Sequence, residues 1–266
     1  MNIHRISALI LRQLYLMKGS PVRILPLFIW VAVDIILWGF ITKYLDTVTS
    51  PGLNLTLSLL GAVLLWDFFV RIMHGLTTAM LEDVWARNFL NVFTTPLTVS
   101  EYIIALASIS ILTSIVGLVI MLGLALPFGF SFFAYGLMIV PFLGVLLLFG
   151  IALGIMACAM ILRLGPASEW LMWPIPALLS PFAGVFYPIA TLPVWMQTIS
   201  YALPPSYIFQ GLRDIVQGNE VTWEPLAWAY GLVILYIGLA CWYFAQTFKR
   251  AVRTGLIARY SAESIN

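Results

Sequence analysis

The sequence predicts an all-α polytopic membrane protein with six transmembrane helices, and three observations carry that expectation. Of 266 residues, 62% are hydrophobic and 9% charged, whereas a soluble domain carries roughly 25% charged residues. The apolar residues fall into six long runs, and about 20 residues suffice to cross a hydrocarbon core as a helix that satisfies its own backbone. Runs such as LMIVPFLGVLLLFGIALGIMACAMIL are apolar on every face, while the strands of a β-barrel alternate apolar and polar residues over short lengths.

Residues 1–21 precede the first span. Ile3, Ile6, Ile10, Leu14 and Met17 share one helical face and Arg5 and Arg12 point away from it. This segment is expected to lie as an interfacial helix on the inner membrane surface, basic side toward anionic headgroups. A basic leader with no fixed position is the plainer alternative. Arg12, Gln13 and Lys18 interrupt the apolar core that a signal peptide requires, so no cleavage is expected. The six spans are expected at 22–42, 54–80, 101–127, 132–162, 169–192 and 224–248.

Orientation follows from the positive flanks, because cytoplasmic loops retain Lys and Arg. Arg5, Arg12, Lys18 and Arg23 precede the first span, and Lys249, Arg250, Arg253 and Arg259 follow the last. Six spans place both termini on one side, which the charge makes cytoplasmic. Arg87 and Arg163 fall in loops on the same side, and Lys43 and Arg213 fall opposite.

Several chemistries have no carrier in the chain. Cys158 and Cys241 both fall inside expected spans and lack a CxxC or His-spaced partner, so neither a disulfide nor a metal role is expected. Gly150, Gly154 and Cys158 form a row of small residues four apart, which reads as a helix-packing seam. No HExxH, GxSxG or GxxxxGK[ST] occurs, and His4 and His74 are the two histidines. The chain is not expected to be an enzyme by itself or to bind its own ATP.

Ionisable residues within a span are functional candidates by default. Asp67, Arg71 and His74 lie along one face of the second expected helix, where Asp67 and Arg71 form an (i, i+4) pair. They suit either a proton relay or charged substrate contact, or, more plainly, an internal salt bridge facing a water-accessible cleft. Asp34 in the first span has no local partner and must find one on another helix, a second copy or a solvated cavity.

The stretch EDVWARNFLNVFTTPLT, residues 82–98, joins the second and third spans on the cytoplasmic side. Glu82, Asp83, Arg87 and Asn88 alternate with Trp85, Phe89, Leu90 and Phe93, giving a short amphipathic helix that Pro96 stops. Such a helix either lies passively on the membrane or sits in a partner's groove and passes motion to the flanking spans. Here the chain resembles the ABC-2 type (type V) permeases of ATP-binding-cassette exporters. That family carries an acidic and then a basic residue, a short hydrophobic helix and a TPLT-like ending before Glu-Tyr. This chain has Glu82, Arg87, NFLNVFTTPLT, Glu101 and Tyr102 at those places. It departs from the family in VWARNF, where many members carry a Lys/Arg-Glu pair and then Gly-Thr.

The resemblance implies that residues 81–100 form a cytoplasmic coupling loop within one transmembrane domain, 1–266. Glu82, Asp83, Trp85, Arg87, Asn88, Phe89, Pro96 and Leu97 would then meet a separate ABC ATPase, which binds the ATP and Mg. A homodimer of permeases, or a pair with a paralogue, is implied likewise; membrane lipid is the remaining partner and nucleic acid is not expected. The setting implied is a bacterial-type inner membrane.

Residues 180–215 look like the family's fifth span, its outer helical hairpin and its Pro-rich return, closest to the drug-exporter and nodulation-factor-exporter branch. Pro181, Pro188 and Pro193 cannot continue a regular helix, so a span starting near Glu169 is expected to break before the far surface. The resemblance makes 180–222 an outer re-entrant segment capping a translocation path. Phe182, Phe186, Tyr187 and Trp195 are its gate candidates, and Trp66, Trp170 and Trp173 are read as anchors or packing residues. The cargo expected is hydrophobic, lipid-linked or another small molecule.

The rival reading is a stand-alone proton- or ion-coupled secondary transporter using the Asp67, Arg71 and His74 face. A lipid-modifying membrane enzyme is a further rival, but the chain offers no nucleophile or metal set for it.

Overall fold

A computed structural model gives the fold, and its description covers residues 1–48, 56–86, 88–165 and 168–255. Arg87 and Arg259 lie outside the described residues. The chain is almost entirely helical, with no strand among the described residues.

Helix α1 (Ile3–Gly19) is capped by Asn2, whose side-chain oxygen accepts the His4 N–H at 3.0 Å, satisfying an amide that a helix start leaves open. Helix α2 (Pro21–Val48, 28 residues) follows after one residue. Its accessible stripe carries Leu25, Ile29, Val33, Phe40 and Tyr44, and in a membrane such a stripe meets lipid or another protein. A π-helical turn, Thr56–Leu60, leads into α3 (Gly61–Trp85). The short α4 (Phe89–Thr94) connects α3 to α5 (Val99–Ala125). Short 3-10 segments at Leu126–Phe128 and Phe132–Met138 turn the chain into α6 (Ile139–Leu164). There follow α7 (Glu169–Met172), α8 (Pro174–Ala183), α9 (Val194–Ala202), α10 (Pro204–Val216) and α11 (Trp223–Arg253).

Among the described residues, four segments are long and apolar enough to cross a membrane: Thr56–Trp85, Val99–Phe128, Phe132–Leu164 and Trp223–Arg253. They coincide with the second, third, fourth and sixth expected spans, and α2 coincides with the first. The fifth differs. Residues 169–192 do not form one long helix; α7 and α8 meet at Trp173 and stop at Ala183. At ~1.5 Å per residue they reach roughly 22 Å, short of a hydrocarbon core of about 30 Å.

The stop comes from Gly184, which is left-handed (φ 63°), a conformation that other residues adopt only under strain. Pro181, one of the three prolines expected to break the segment, lies inside the helix near its end. A proline there removes a single N–H donor, and the helix persists until the left-handed glycine turns the backbone.

Helix α3 is central, packing on α5 and on α6, while α6 packs on α11. Small residues of α6 permit the approach. A Cβ on Gly150 would lie 3.0 Å from the Phe69 carbonyl oxygen, and one on Gly154 would lie 3.2 Å from that of Met73. Cys158 continues the row with its thiol 3.9 Å from the Leu76 carbonyl. The row is therefore a seam into which the α3 backbone fits. On the other side, the Ser110 hydroxyl of α5 donates to Ile72 O at 2.7 Å across Gly75. Phe69 stacks on Phe149 at 5.4 Å, and Trp66 meets Phe209 at 5.9 Å as a core residue. Cys158 is buried, Cys241 exposed, and both are free.

Candidate functional site

Helix α1 does not turn Arg5 and Arg12 outward, contrary to the expectation from its helical wheel. Ile6 and Gln13 are its buried residues, each 4% exposed, and the Gln13 amide donates to Ala79 O at 3.4 Å. Arg12 Nη2 reaches Asp83 Oδ1 at the end of α3, 2.5 Å away. Arg5 pairs with Glu101 at the start of α5, 3.6 Å away, and donates to the Pro96 carbonyl. The physical reason is that Asp83 and Glu101 are fixed, largely desolvated partners, whereas a pair made in water gains little.

Glu101 is the second anchor. Its carboxylate accepts the Thr98 N–H at 3.0 Å, while the Thr98 hydroxyl accepts the Glu101 N–H at 3.3 Å. This capping box starts α5. The other carboxylate oxygen accepts the Asn2 N–H at 2.6 Å, so one side chain ties the first residues of α1 to the first turn of α5.

Between these anchors the expected coupling residues divide by direction. Asp83 is 3% exposed and accepts the Tyr102 hydroxyl at 2.8 Å, so it braces the segment from inside. Phe89 is likewise buried, against Phe93 at 5.0 Å and Tyr102 at 5.9 Å. Phe93 carries the contact on to Phe248 of α11 at 5.1 Å. Trp85, 51% exposed, and Pro96 face outward, while Glu82, Asn88 and Leu97 are half-buried. Asn91 and Thr94 are exposed beside them and were not among the residues singled out from the sequence. Their signal was the (i, i+3) spacing on the face opposite Phe89 and Val92.

The polar residues of the spans are brought together. The charge of Arg71 acts on Asp67 of its own helix and on Asp34 of α2. Arg71 runs over Gly117 of α5, where a Cβ would lie 3.3 Å from its Cδ. His74 sits one turn further along, its ring 4.6 Å from that of Trp173 and hydrogen-bonded to the Met172 backbone. Asp67 Oδ2, His74 Nε2 and Ser114 Oγ are buried without a hydrogen-bond partner. No group of three or more His, Cys, Asp or Glu is placed to hold a metal ion among the described residues.

The outer candidates are not gathered in one place. Phe186 stacks on Trp38 of α2, centroids 4.9 Å apart and planes at 8°. The Tyr187 hydroxyl donates to Pro181 O at 3.0 Å, Phe182 packs against the core, and Trp195 on α9 is exposed. What holds the broken segment is Arg213 of α10, buried and donating through Nη1 to Gly184 O at 2.7 Å. Burial pulls the Arg213 pKa down from the ordinary guanidinium value, and neighbouring Asp214 opposes that.

Fold and site together define a multi-pass helical membrane protein in which a short braced helix is presented between two crossing helices at one end of the bundle. The profile of the ABC-2 type transporter family matches residues 4–216, from α1 through α10, and the chain belongs to that family. It is accordingly a permease subunit of an ABC transporter, a class of membrane subunit that works with an ABC ATPase. Among curated proteins, no match to the chain is found.

Proposed function

We propose that this permease serves an ATP-driven exporter and that residues 82–98 are the docking segment for a separate ATPase subunit. The observation that carries the reading is the division of that segment. Trp85, Asn91, Thr94 and Pro96 face outward, while Asp83 and Glu101 tie the same stretch to Arg12, Tyr102, Asn2 and Arg5. A force on α4 is thereby shared among α1, α3 and α5 and is not absorbed by a slack loop. The ATP and Mg belong to the partner, and this chain transmits its closure.

Six spans follow if α2 crosses the membrane and α7–α8 contribute a shorter, broken fifth crossing that leads into the outer re-entrant segment, 180–222. Both termini are then cytoplasmic, in a bacterial-type inner membrane. The apolar stripe of α2 supplies a surface for a second permease, homodimeric or paralogous. Cargo moving outward between the two would be hydrophobic, lipid-linked or another small molecule, as in the drug-exporter and nodulation-factor-exporter branch. Phe186, stacked on Trp38, joins the outer segment to α2 and is the best placed of the gate candidates.

Gentle purification of the tagged protein from its native membrane, with mass spectrometry of what remains bound, tests this reading. A stoichiometric ATPase with a GxxxxGK[ST] loop, lost in Glu82→Lys and Trp85→Ala, is the expected result. A second reading, a stand-alone proton- or ion-coupled transporter, is favoured by one observation, the unpartnered buried Asp67 Oδ2 beside Arg71 and His74. Absence of any ATPase across several mild detergents, with proton or ion flux abolished in Asp67→Asn, would replace the first reading with the second.

A further inference from the structure

At the end of the bundle away from α4, a cavity of ≈ 420 Å³ opens between α10 and the start of α11. Its floor is Phe142, about one turn into α6. The acidic residues Asp214, Glu220 and Glu224 and the aromatic residues Tyr201, Tyr207 and Trp228 line it, and no Lys, Arg or His does so among the described residues. Arg213, the neighbour of Asp214 in sequence, donates instead to the Gly184 carbonyl at 2.7 Å.

The wall is organised before any ligand arrives. The Tyr207 hydroxyl donates to Tyr201 O at 2.8 Å, which leaves the ring rather than the hydroxyl for a ligand. The Ser206 hydroxyl is engaged with Ser200 O at 2.7 Å. The Gln210 amide donates to Asp214 Oδ1 at 3.4 Å. What remains on offer is negative charge and aromatic surface. A concave site lined by one sign of charge concentrates the opposite ion, and aromatic faces attract a diffuse cation. The carboxylates are not grouped as metal ligands, so a compact metal ion does not fit this arrangement.

We propose that this cavity binds organic ammonium cations, drawn in by the combined negative charge of Glu220, Glu224 and Asp214 and seated against the aromatic residues Trp228 and Tyr207. The site is independent of the docking proposal, because binding requires neither ATP nor an ATPase; either can fail while the other stands.

The test uses the full chain in phosphatidylcholine nanodiscs, titrated calorimetrically with benzyltrimethylammonium. Saturable binding is expected, weakened about tenfold or more in Glu220→Gln/Glu224→Gln and again by raised salt, with phenylacetate inert. Equal affinity of the double variant and the parent overturns the proposal, as does an absence of saturable binding. Equal binding of phenyl β-glucoside would make this a carbohydrate site and also overturns it. Should the double variant fail to fold, Trp228→Leu decides: a weakened affinity there supports the site and an unchanged one overturns the proposal.

Discussion

Arg12 and Asp83, 71 residues apart in sequence, meet at 2.5 Å where α1 crosses the end of α3. Asp83 is shared with the Tyr102 hydroxyl at 2.8 Å, so three helices converge on one carboxylate. Arg12→Ala would leave that carboxylate buried with a single neutral donor, at a cost of about 2–4 kcal/mol, with the lower end favoured because Arg12 is 28% exposed. The expected outcome is a lowered Tm by fluorescence-detected size-exclusion chromatography and new protease cleavage within 1–20. Exchanging the charges, Arg12→Asp with Asp83→Arg, should recover part of the loss. An Arg12→Ala protein as stable as its parent would remove the bracing role.

The α3–α6 seam predicts a sharp contrast between glycines. Gly154→Leu must displace the α3 backbone at Met73, and overpacking of this kind costs roughly 1–3 kcal/mol or prevents assembly. Gly123→Ala, where a Cβ meets nothing within 4 Å, should be neutral or stabilising by up to about 1 kcal/mol. Monodispersity and Tm of the two variants, side by side, check the prediction.

The outward ridge should separate stability from coupling. Trp85→Ala and Thr94→Ala remove side chains from exposed positions, so each should leave Tm within about 1–2 °C of the parent, as surface changes do. Retention of the ATPase on the same preparation should fall about tenfold if the ridge docks it. Full retention in the double variant would place the docking elsewhere.

Trp38 and Phe186 form the aromatic link between α2 and the outer segment. A double-mutant cycle with Trp38→Ala and Phe186→Ala should show a coupling near 1 kcal/mol in stability. If the segment gates a path, Phe186→Ala changes transport while dimer assembly and ATPase retention stay intact. Transport equal to the parent would end the gate assignment.

The sequence made much of this legible. The small row Gly150, Gly154 and Cys158 announced its seam because close helix approach needs small residues at helical spacing, a local requirement. Asp34 was recognised as lacking a local partner, but the influence of the Arg71 charge on it could not be named, since nothing local relates positions on α2 and α3. The wheel of α1 identified the right amphipathic helix and misassigned its basic side, because a wheel counts faces and does not know what lies opposite them. Residues 169–192 were expected to break at Pro181, Pro188 and Pro193; helix α8 passes Pro181 and ends at Ala183, where left-handed Gly184 turns the backbone.

By itself the sequence determined the class, the helical runs and the short helix between two of them. The physical reason is that hydrocarbon makes each crossing segment satisfy its own backbone, which leaves a mark in every run of about 20 residues. Only the tertiary structure decided which coupling residues brace and which face outward. Asn2 with Glu101, 99 residues apart, and Arg12 with Asp83 are contacts of the folded chain, chosen by how helices cross and by which charges burial leaves to be neutralised.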